Sequence, residues 1–281
     1  MSTGGKSERI SPTAYATGYF WYRHGLSHPA LATPEGERYD RIAGKLMLAV
    51  RRLGGFSLTA LMLARHRGID AVLEQAIEEG RVGQVIEIAA GLSPRGWSFK
   101  RRYGARITYV ETDLPQMLAL KRRLLEQGGL LTPGHRLEVL DALADSGPQS
   151  LAALVETLDP KLGTAVISEG LMNYFDPATA RAVWQRIAAA LRRFPHGAYL
   201  ADIYLRDRPT NPAAALFGGL LQLFVRGRMH LHFRTVGEVE DTMENCGFTQ
   251  TLVHPAASLK GASEYAPIRG GDAVSVLEAR V

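Results

Sequence analysis

The chain has one cysteine, Cys246, in 281 residues, so it has no internal disulfide and nothing that points to an oxidising compartment. No apolar run reaches the roughly eighteen residues that a membrane-spanning helix needs. The opening stretch MSTGGKSERISP is polar and lacks the apolar centre of a secretory signal. The expectation is a cytoplasmic protein with no membrane contact and a short disordered start. Internal repeats and low-complexity tracts are lacking, which argues against a solenoid. No metal-ligand spacing stands out: His230 and His232 alternate as on a strand, but a third ligand is missing, so no metal is expected.

No recognised nucleic-acid module accompanies the net charge of +5 and pI of about 9.4. Arg51-Arg52, Lys100-Arg101-Arg102, Lys121-Arg122-Arg123 and Arg192-Arg193 fall on separate elements and read as solvated helix faces. The expected partner is therefore a small molecule of acidic character rather than nucleic acid. Nothing in the sequence speaks to oligomeric state.

What is present is ordinary globular material, 46% hydrophobic and 22% charged, in a chain long enough to bury a core without staples. Between residues 40 and 80 the apolar positions Ile42, Leu46, Leu48, Leu53, Leu58, Leu61, Leu63, Val72, Leu73 and Ile77 recur at helical spacing. Gly54-Gly55 and Gly68 are expected to divide them into three helices. Residues 1–80 thus read as an N-terminal helical cap, and 81–281 as the core.

From residue 84 the texture changes. QVIEIAA, RITYVETD, HRLEVLDA, GTAVISEG and GAYLADIYL are five short strand-like runs, interleaved with helical segments such as MLALKRRLLEQ and PATARAVWQRIAAALRRF. Strands alternating with helices predict an α/β fold with a parallel, doubly wound, Rossmann-like sheet. After the helix EVEDTMENCGF come two more strands, FTQTLVHP and AVSVLEARV, with no helix between them, so they should pair antiparallel. The expectation is a seven-stranded, mostly parallel sheet with an antiparallel terminal strand. Residues 205–240, rich in Pro, Gly, Arg and His, read as a lid insertion after strand five. Nicotinamide oxidoreductases build two parallel mononucleotide halves, and the closing antiparallel pair argues against them.

In such a sheet the ligand lies beyond the carboxyl ends of the strands. Ala89, Ala90 and Gly91 follow strand one, where small residues let a ligand approach the backbone. Asp113 follows strand two and suits the two vicinal hydroxyls of a ribose. Asp141, after strand three, could accept from an adenine amine, and Glu169-Gly170 ends strand four. Glu87 lies inside strand one; a buried carboxylate is costly unless bonded, so it is expected to meet loop amides or a cofactor ammonium.

The stretches RHRGIDAVLEQAI, GQVIEIAAGLSPRGW, YVETDLPQMLALKRRLL and ISEGLMNYF together resemble the leucine carboxyl methyltransferase family. That family includes the phosphatase-2A carboxyl methyltransferases and the tetracenomycin-type polyketide O-methyltransferases. TDLPQMLALKR is the sharpest match, and the resemblance covers residues 60–195 best. It implies a class I fold and S-adenosylmethionine (SAM) as cofactor, with S-adenosylhomocysteine (SAH) as product. Carried across by position, Arg65 would hold the SAM carboxylate and Gly91 would underlie the methionine. Asp113, with Leu114 beside it, would bind the ribose, Asp141 and Ala142 the adenine, and Glu169 the amine.

Two departures from the family pattern stand in the turn. Ala89 replaces the first glycine, a change that costs little where φ is negative. Leu92-Ser93-Pro94-Arg95 replaces Leu-Asp-Thr-Arg, so Ser93 offers a hydroxyl where the family has a carboxylate.

The implied activity is O-methylation of a small molecule, with a carboxylate or a phenolic hydroxyl as acceptor. A protein carboxyl terminus as acceptor and SAM binding without turnover stand as alternatives. A carboxylate needs no base, whereas a phenol does. The candidates for acceptor chemistry are Tyr174, Tyr204, His230 and His232. The N-terminal Tyr19, Trp21, Tyr22, Arg23 and His24 form an aromatic-basic mixture suited to gripping a flat or anionic substrate.

Overall fold

Helix-start signals are legible at the beginning of the chain and act as expected. In the computed structural model, which describes residues 12–206 and 230–281, α1 spans Pro12–Arg23, α2 Pro34–Gly54 and α3 Leu58–Glu78. The Thr33 hydroxyl caps α2 by accepting from Gly36 N, with Pro34 in the first turn, and Ser57 caps α3 through Ala60 N. Gly55 closes α2 at φ +65°. Gly68, by contrast, does not divide the segment: α3 runs straight through it. A Cβ at Gly68 would lie 2.9 Å from Val276 Cγ2 and 3.2 Å from the Ala256 methyl. The glycine serves close packing of α3 on the sheet, a benefit that outweighs its helix penalty of about 1 kcal/mol. The three helices expected over 40–80 are therefore parts of two.

The core continues as β1 Gln84–Ile88, α4 Arg95–Tyr103, β2 Thr108–Asp113, α5 Pro115–Gln127, β3 His135–Val139, α6 Leu151–Val155, β4 Thr164–Ser168, α7 Pro177–Leu191 and β5 Gly197–Ile203. It ends with α8 Val236–Cys246, β6 Gln250–Pro255 and β7 Ser275–Arg280. The seven strands lie in the order β3-β2-β1-β4-β5-β7-β6. β7 is antiparallel to both its neighbours, β5 and β6, while the pairs among β1 to β5 are parallel. The sheet is that of the class I methyltransferase fold. The β6–β7 connection is not a tight hairpin; residues 256–274 lie between the two strands and carry two short 3-10 turns.

Strand side chains alternate between two apolar layers with the period of two that a pleated strand dictates. Ile86, Ile88, Val166, Tyr199, Ala201 and Leu277 face α6, α7 and α8. Val85, Tyr109, Ala165, Ile167, Leu200 and Val276 face α3 and α4. Cys246 is buried and free, and burial raises its thiol pKa, which makes it inert.

Of the expected lid insertion, residues 207–229 lie outside the described residues, as do residues 1–11 of the expected disordered start. The flanks of the insertion meet: Leu205 bridges Phe233, and Arg206 N donates to the Phe233 carbonyl at 3.1 Å. Among the described residues no helix is long and apolar enough to cross a membrane, and no cluster of three or more His, Cys, Asp or Glu could hold a metal ion.

Candidate active site at the carboxyl ends of the strands

β1 delivers the chain into its turn through a strained residue. Ala89 has φ +53°, the only non-glycine residue with positive φ among the described residues, and its side chain is exposed at the strand end. The condition under which Ala89 would cost little, a negative φ, is not met. The backbone keeps the left-handed geometry that glycine adopts freely, and the methyl group bears the steric cost. Gly91 follows at φ +49°, and its amide donates to Asp113 Oδ2 at 2.8 Å. Leu114 N donates to Asp113 Oδ1 at 2.8 Å. Each carboxylate oxygen of Asp113 thus takes one backbone amide and keeps lone-pair capacity for a further donor. Burial raises the Asp113 pKa, while the two amides oppose that shift.

Beside Asp113, the Leu114 side chain is 41% exposed and apolar. Leu140 N donates to the Asp113 carbonyl, which ties the end of β3 to the end of β2, and Asp141 N donates to the Gln149 carbonyl. Asp141 Oδ1 accepts from Leu143 N at 2.9 Å, and the Ala142 carbonyl accepts from Arg186 Nη1 at 3.2 Å. Both residues are half-buried. The structure therefore brings Ala89, Gly91, Asp113, Leu114, Asp141 and Ala142 to neighbouring strand ends.

Arg95, the first residue of α4, organises the other half of the site. Its side chain is fully buried. Nε donates to Asp70 Oδ1, Nη1 to Glu87 Oε1 and Nη2 to Glu169 Oε2, each at 2.6 Å. Glu87 is therefore bonded to side chains rather than to loop amides: Oε1 also accepts from the Ser93 hydroxyl at 2.9 Å, and Oε2 from Tyr109 at 2.9 Å. The reason is local. Pro94 and Ser93 fold the turn so that Arg95 enters the core beside β1, and Glu87, itself 2% exposed, is its nearest desolvated counter-charge. Ser93, in place of the family's carboxylate, bonds Glu87 and accepts from Arg95 N.

Arg65, on α3, donates from Nε to Glu169 Oε1 at 2.9 Å, and its Nη1 lies 3.7 Å from Asp202 Oδ2. Its guanidinium covers Gly170, where a Cβ would fall 3.3 Å from Nη1; Gly170 has φ +67°. His66 Nδ1 lies 2.8 Å from Glu169 Oε2, and the indole of Trp21 stacks on the imidazole at 4.3 Å. Burial would raise the Glu169 pKa, but the charges of His66, Arg65 and Arg95 outweigh it and hold the carboxyl well below the usual range.

The N-terminal aromatics are placed by this packing. Phe20 and Trp21 are buried, Arg23 pairs with Asp40, and Tyr22 alone of the large aromatics in the stretch is notably exposed. Trp21 is buried against His66, which corrects the expectation of a substrate grip for it, whereas Arg23 pairs with Asp40 and stays 43% exposed. Gly18 lets α1 pack directly on Leu92 of the turn after β1.

At the end of β5, Asp202 Oδ1 accepts from Gly170 N at 2.6 Å, whereas Oδ2 is buried and makes no hydrogen bond. Burial raises its pKa against the opposing pull of Arg65. The Tyr204 hydroxyl interacts with both Arg65 and Asp202, and burial pushes its pKa far up. His232 Nε2 lies 2.9 Å from the Met172 carbonyl. His230 is held through its backbone, its N donating to the Asn173 carbonyl at 2.8 Å, and its ring stacks on His232 at 6.4 Å. Tyr174 ends a 3-10 turn and is 38% exposed. Of the four acceptor-side candidates, Tyr204 and His232 share a cavity with Asp202; Tyr174 and His230 do not line it.

Sequence reasoning did not single out Arg95, His66, Asp70 or Asp202 as site residues. Two signals were available. Arg95 opens a helix, where a cation opposes the helix dipole, and Asp202 interrupts the apolar run of β5 just as Glu87 interrupts β1.

The site suits a cationic adenosyl cofactor. The carboxylates of Asp70, Glu87, Glu169 and Asp202 face two guanidiniums, Arg65 and Arg95, and the His66 imidazole. Even with His66 protonated, one negative charge is in excess, so an added cation is favoured. Asp113 retains the acceptor capacity that a ribose requires.

The family model described as leucine carboxyl methyltransferase matches residues 41–188, just over half of the chain. A Mycolicibacterium paratuberculosis protein provisionally named S-adenosyl-L-methionine-dependent methyltransferase is 35% identical over 118 residues, 42% of this chain and 37% of that protein. A Streptomyces coelicolor protein with the same provisional name is 26% identical over 211 residues, 68% of each chain. The matches to the first curated relatives span less than half of those proteins' lengths. Among solved structures, a duf574 family protein from Streptomyces avermitilis superposes with a TM-score of 0.67 at 17% identity, covering 96% of this chain and 97% of that one.

Proposed function

The chain belongs to the leucine carboxyl methyltransferase family, and from that premise we propose that it transfers a methyl group from SAM to an oxygen atom of a small molecule. The observation that carries the reading is Asp113, a half-buried carboxylate held at the end of β2 by the amides of Gly91 and Leu114. In this reading it binds the ribose hydroxyls. Leu114 and Ala142 flank the adenine, and Asp141 accepts from its amine. Ala89 and Gly91 carry the methionine portion on their backbone. Arg65 meets the carboxylate, because its fork presents paired donors, and Glu169 lies beside the ammonium. Glu87 acts at one remove, by holding Arg95 and through it Glu169.

When bound, SAM supplies an electrophilic methyl group on a sulfonium that leaves readily. The residues of the chain need then only align an acceptor oxygen with it, and such positioning can supply about 7–11 kcal/mol of the barrier.

A thermal-shift comparison of SAM, SAH and NAD tests the cofactor. Ligand at a hundred times its Kd should stabilise the protein by about 2.7 kcal/mol. The expected result is stabilisation by SAM and SAH and none by NAD; stabilisation by NAD alone would refute the reading. Labelled SAM incubated with fractionated extract then separates turnover from binding alone. Transfer of label to a small-molecule fraction is expected, and tight SAM binding with no labelled product in any fraction would favour a protein that binds SAM without turnover.

A further inference from the structure

Strand period and register bring three polar side chains together at the ends of β4 and β5. Ile167 on β4 pairs in register with Leu200 on β5, and both belong to the layer packed on α3. With a period of two, Glu169, Asp202 and Tyr204 turn to that same face, where α3 carries Arg65. Two carboxylates thus come side by side at neighbouring strand ends, and the charge of Glu169 disfavours that of Asp202. One guanidinium answers both. Arg65 Nε donates to Glu169 Oε1 at 2.9 Å, and its Nη1 lies 3.7 Å from Asp202 Oδ2. The Tyr204 hydroxyl interacts with guanidinium and carboxylate alike, because a hydroxyl can accept from the one while donating to the other.

Asp202 also fixes the backbone beneath that guanidinium. Its Oδ1 accepts from Gly170 N at 2.6 Å, and a Cβ at Gly170 would fall 3.3 Å from Arg65 Nη1. The fold alone does not call for a charge here. Burial raises the Asp202 pKa against the pull of Arg65, so the ionised form is held at a cost. An asparagine would keep the bond to Gly170 N without that cost, since its carbonyl oxygen accepts as well. Only the attraction for the guanidinium requires a carboxylate.

On the reading that Arg65 meets the SAM carboxylate, we infer that Asp202, together with Tyr204, is a positioning residue for the amino-acid end of the cofactor. A long arginine side chain left free would lose its rotamer freedom on binding. Glu169 holds the Nε edge, and Asp202 with Tyr204 holds the Nη1 side, so the fork is in place before the ligand arrives. The direct field of Asp202 on that ligand largely cancels, because the amino-acid end carries one charge of each sign. Tyr204 then serves the cofactor rather than the methyl acceptor.

The test is calorimetric titration with SAH and with 5′-methylthioadenosine, which keeps the adenosine and the sulfur but lacks the amino-acid end. Wild type should bind SAH at least about tenfold more tightly than methylthioadenosine. In Asp202→Asn, SAH should weaken about tenfold while methylthioadenosine stays within about twofold of wild type. Tyr204→Phe should weaken SAH by about threefold, again sparing methylthioadenosine. In an Arg65→Gln background, adding Asp202→Asn should change neither affinity, because the group it positions is gone. Unchanged SAH affinity in Asp202→Asn or Tyr204→Phe, equal weakening of both ligands, or an undiminished effect of Asp202→Asn in the Arg65→Gln background would overturn the inference. Equal binding of the two ligands by wild type would instead overturn the Arg65 reading on which it rests.

Discussion

Among the described residues, the buried charge clusters around Glu111 and around Arg95 are built differently. Beneath α5, Glu111 on β2, Lys121 on α5 and His135 on β3 form a closed group. Lys121 Nζ is 3.0 Å and His135 Nε2 3.4 Å from the Glu111 carboxylate, and none of the three side chains is more than 1% exposed. One carboxylate faces one ammonium, with an imidazole alongside, and the charges balance. The cluster around Arg95 and Arg65 has more carboxylates than cations and opens toward Gly170, where Arg65 is 15% exposed. Balanced burial is what a core needs, because an uncompensated buried charge is expensive. An imbalance retained at strand ends is the mark of a site that expects a ligand.

The largest effect expected from breaking this contrast is that of Arg95→Leu. It leaves Asp70, Glu87 and Glu169 without their shared cation and should cost about 5 kcal/mol, the upper end for a broken buried pair. Urea unfolding would show it as a fall in midpoint, and an unchanged midpoint would mean the network contributes nothing. Glu111→Gln strands the Lys121 ammonium and should cost about 3 kcal/mol. Because Glu111 and Lys121 act on Asp113 only through space and with opposite sign, SAH affinity in that variant should change far less than stability does.

The open cluster also carries titrations of opposite sign. Glu169 is held below its ordinary pKa, so its contribution to stability is present above the unfolded carboxylate range and is lost as pH falls through its folded value. Asp202 is raised, so its protonated form stabilises at low pH and that contribution is lost as pH rises through the folded value. Glu169→Gln should therefore be destabilised at pH 7, and its deficit should shrink on acidification. Asp202→Asn should melt higher than wild type at pH 7, an advantage that also fades in acid. Thermal melts from pH 7 to pH 4 check both signs.

The smallest effect is that of Ala89→Gly. Relief of the left-handed strain, less the entropy of the added glycine, should stabilise by about 1 kcal/mol. That is roughly 2–4 °C in Tm for a chain of this size, and a lower Tm would show that the turn is not strained.

The fold was largely legible because strand and helix periods alternate cleanly from β1 to β5, and because β6 and β7 follow one another with no helix between them. Gly68 misled because glycine marks either a break or a close approach, and only the position of Val276 decides which. The places of Gly91, Asp113, Asp141 and Glu169 at the strand ends were readable, since each follows or ends a strand. Their partners were not. Arg95 meets Asp70, Glu87 and Glu169 across separations of 25, 8 and 74 residues, and no local pattern encodes such pairings. For the same reason the sequence suggested an ammonium for Glu87 where the fold supplies a guanidinium. The backbone angle of Ala89 was also hidden, because an alanine in sequence gives no sign of positive φ.

The central claim is that the strand ends hold SAM with Asp113 on the ribose. Calorimetric titration of SAH into wild type and Asp113→Ala tests it most directly. Saturable one-to-one binding to the wild type is expected, weakened at least tenfold in Asp113→Ala with the thermal melt of the variant still cooperative. Near-native SAH affinity in Asp113→Ala, or no binding to the wild type, would contradict it.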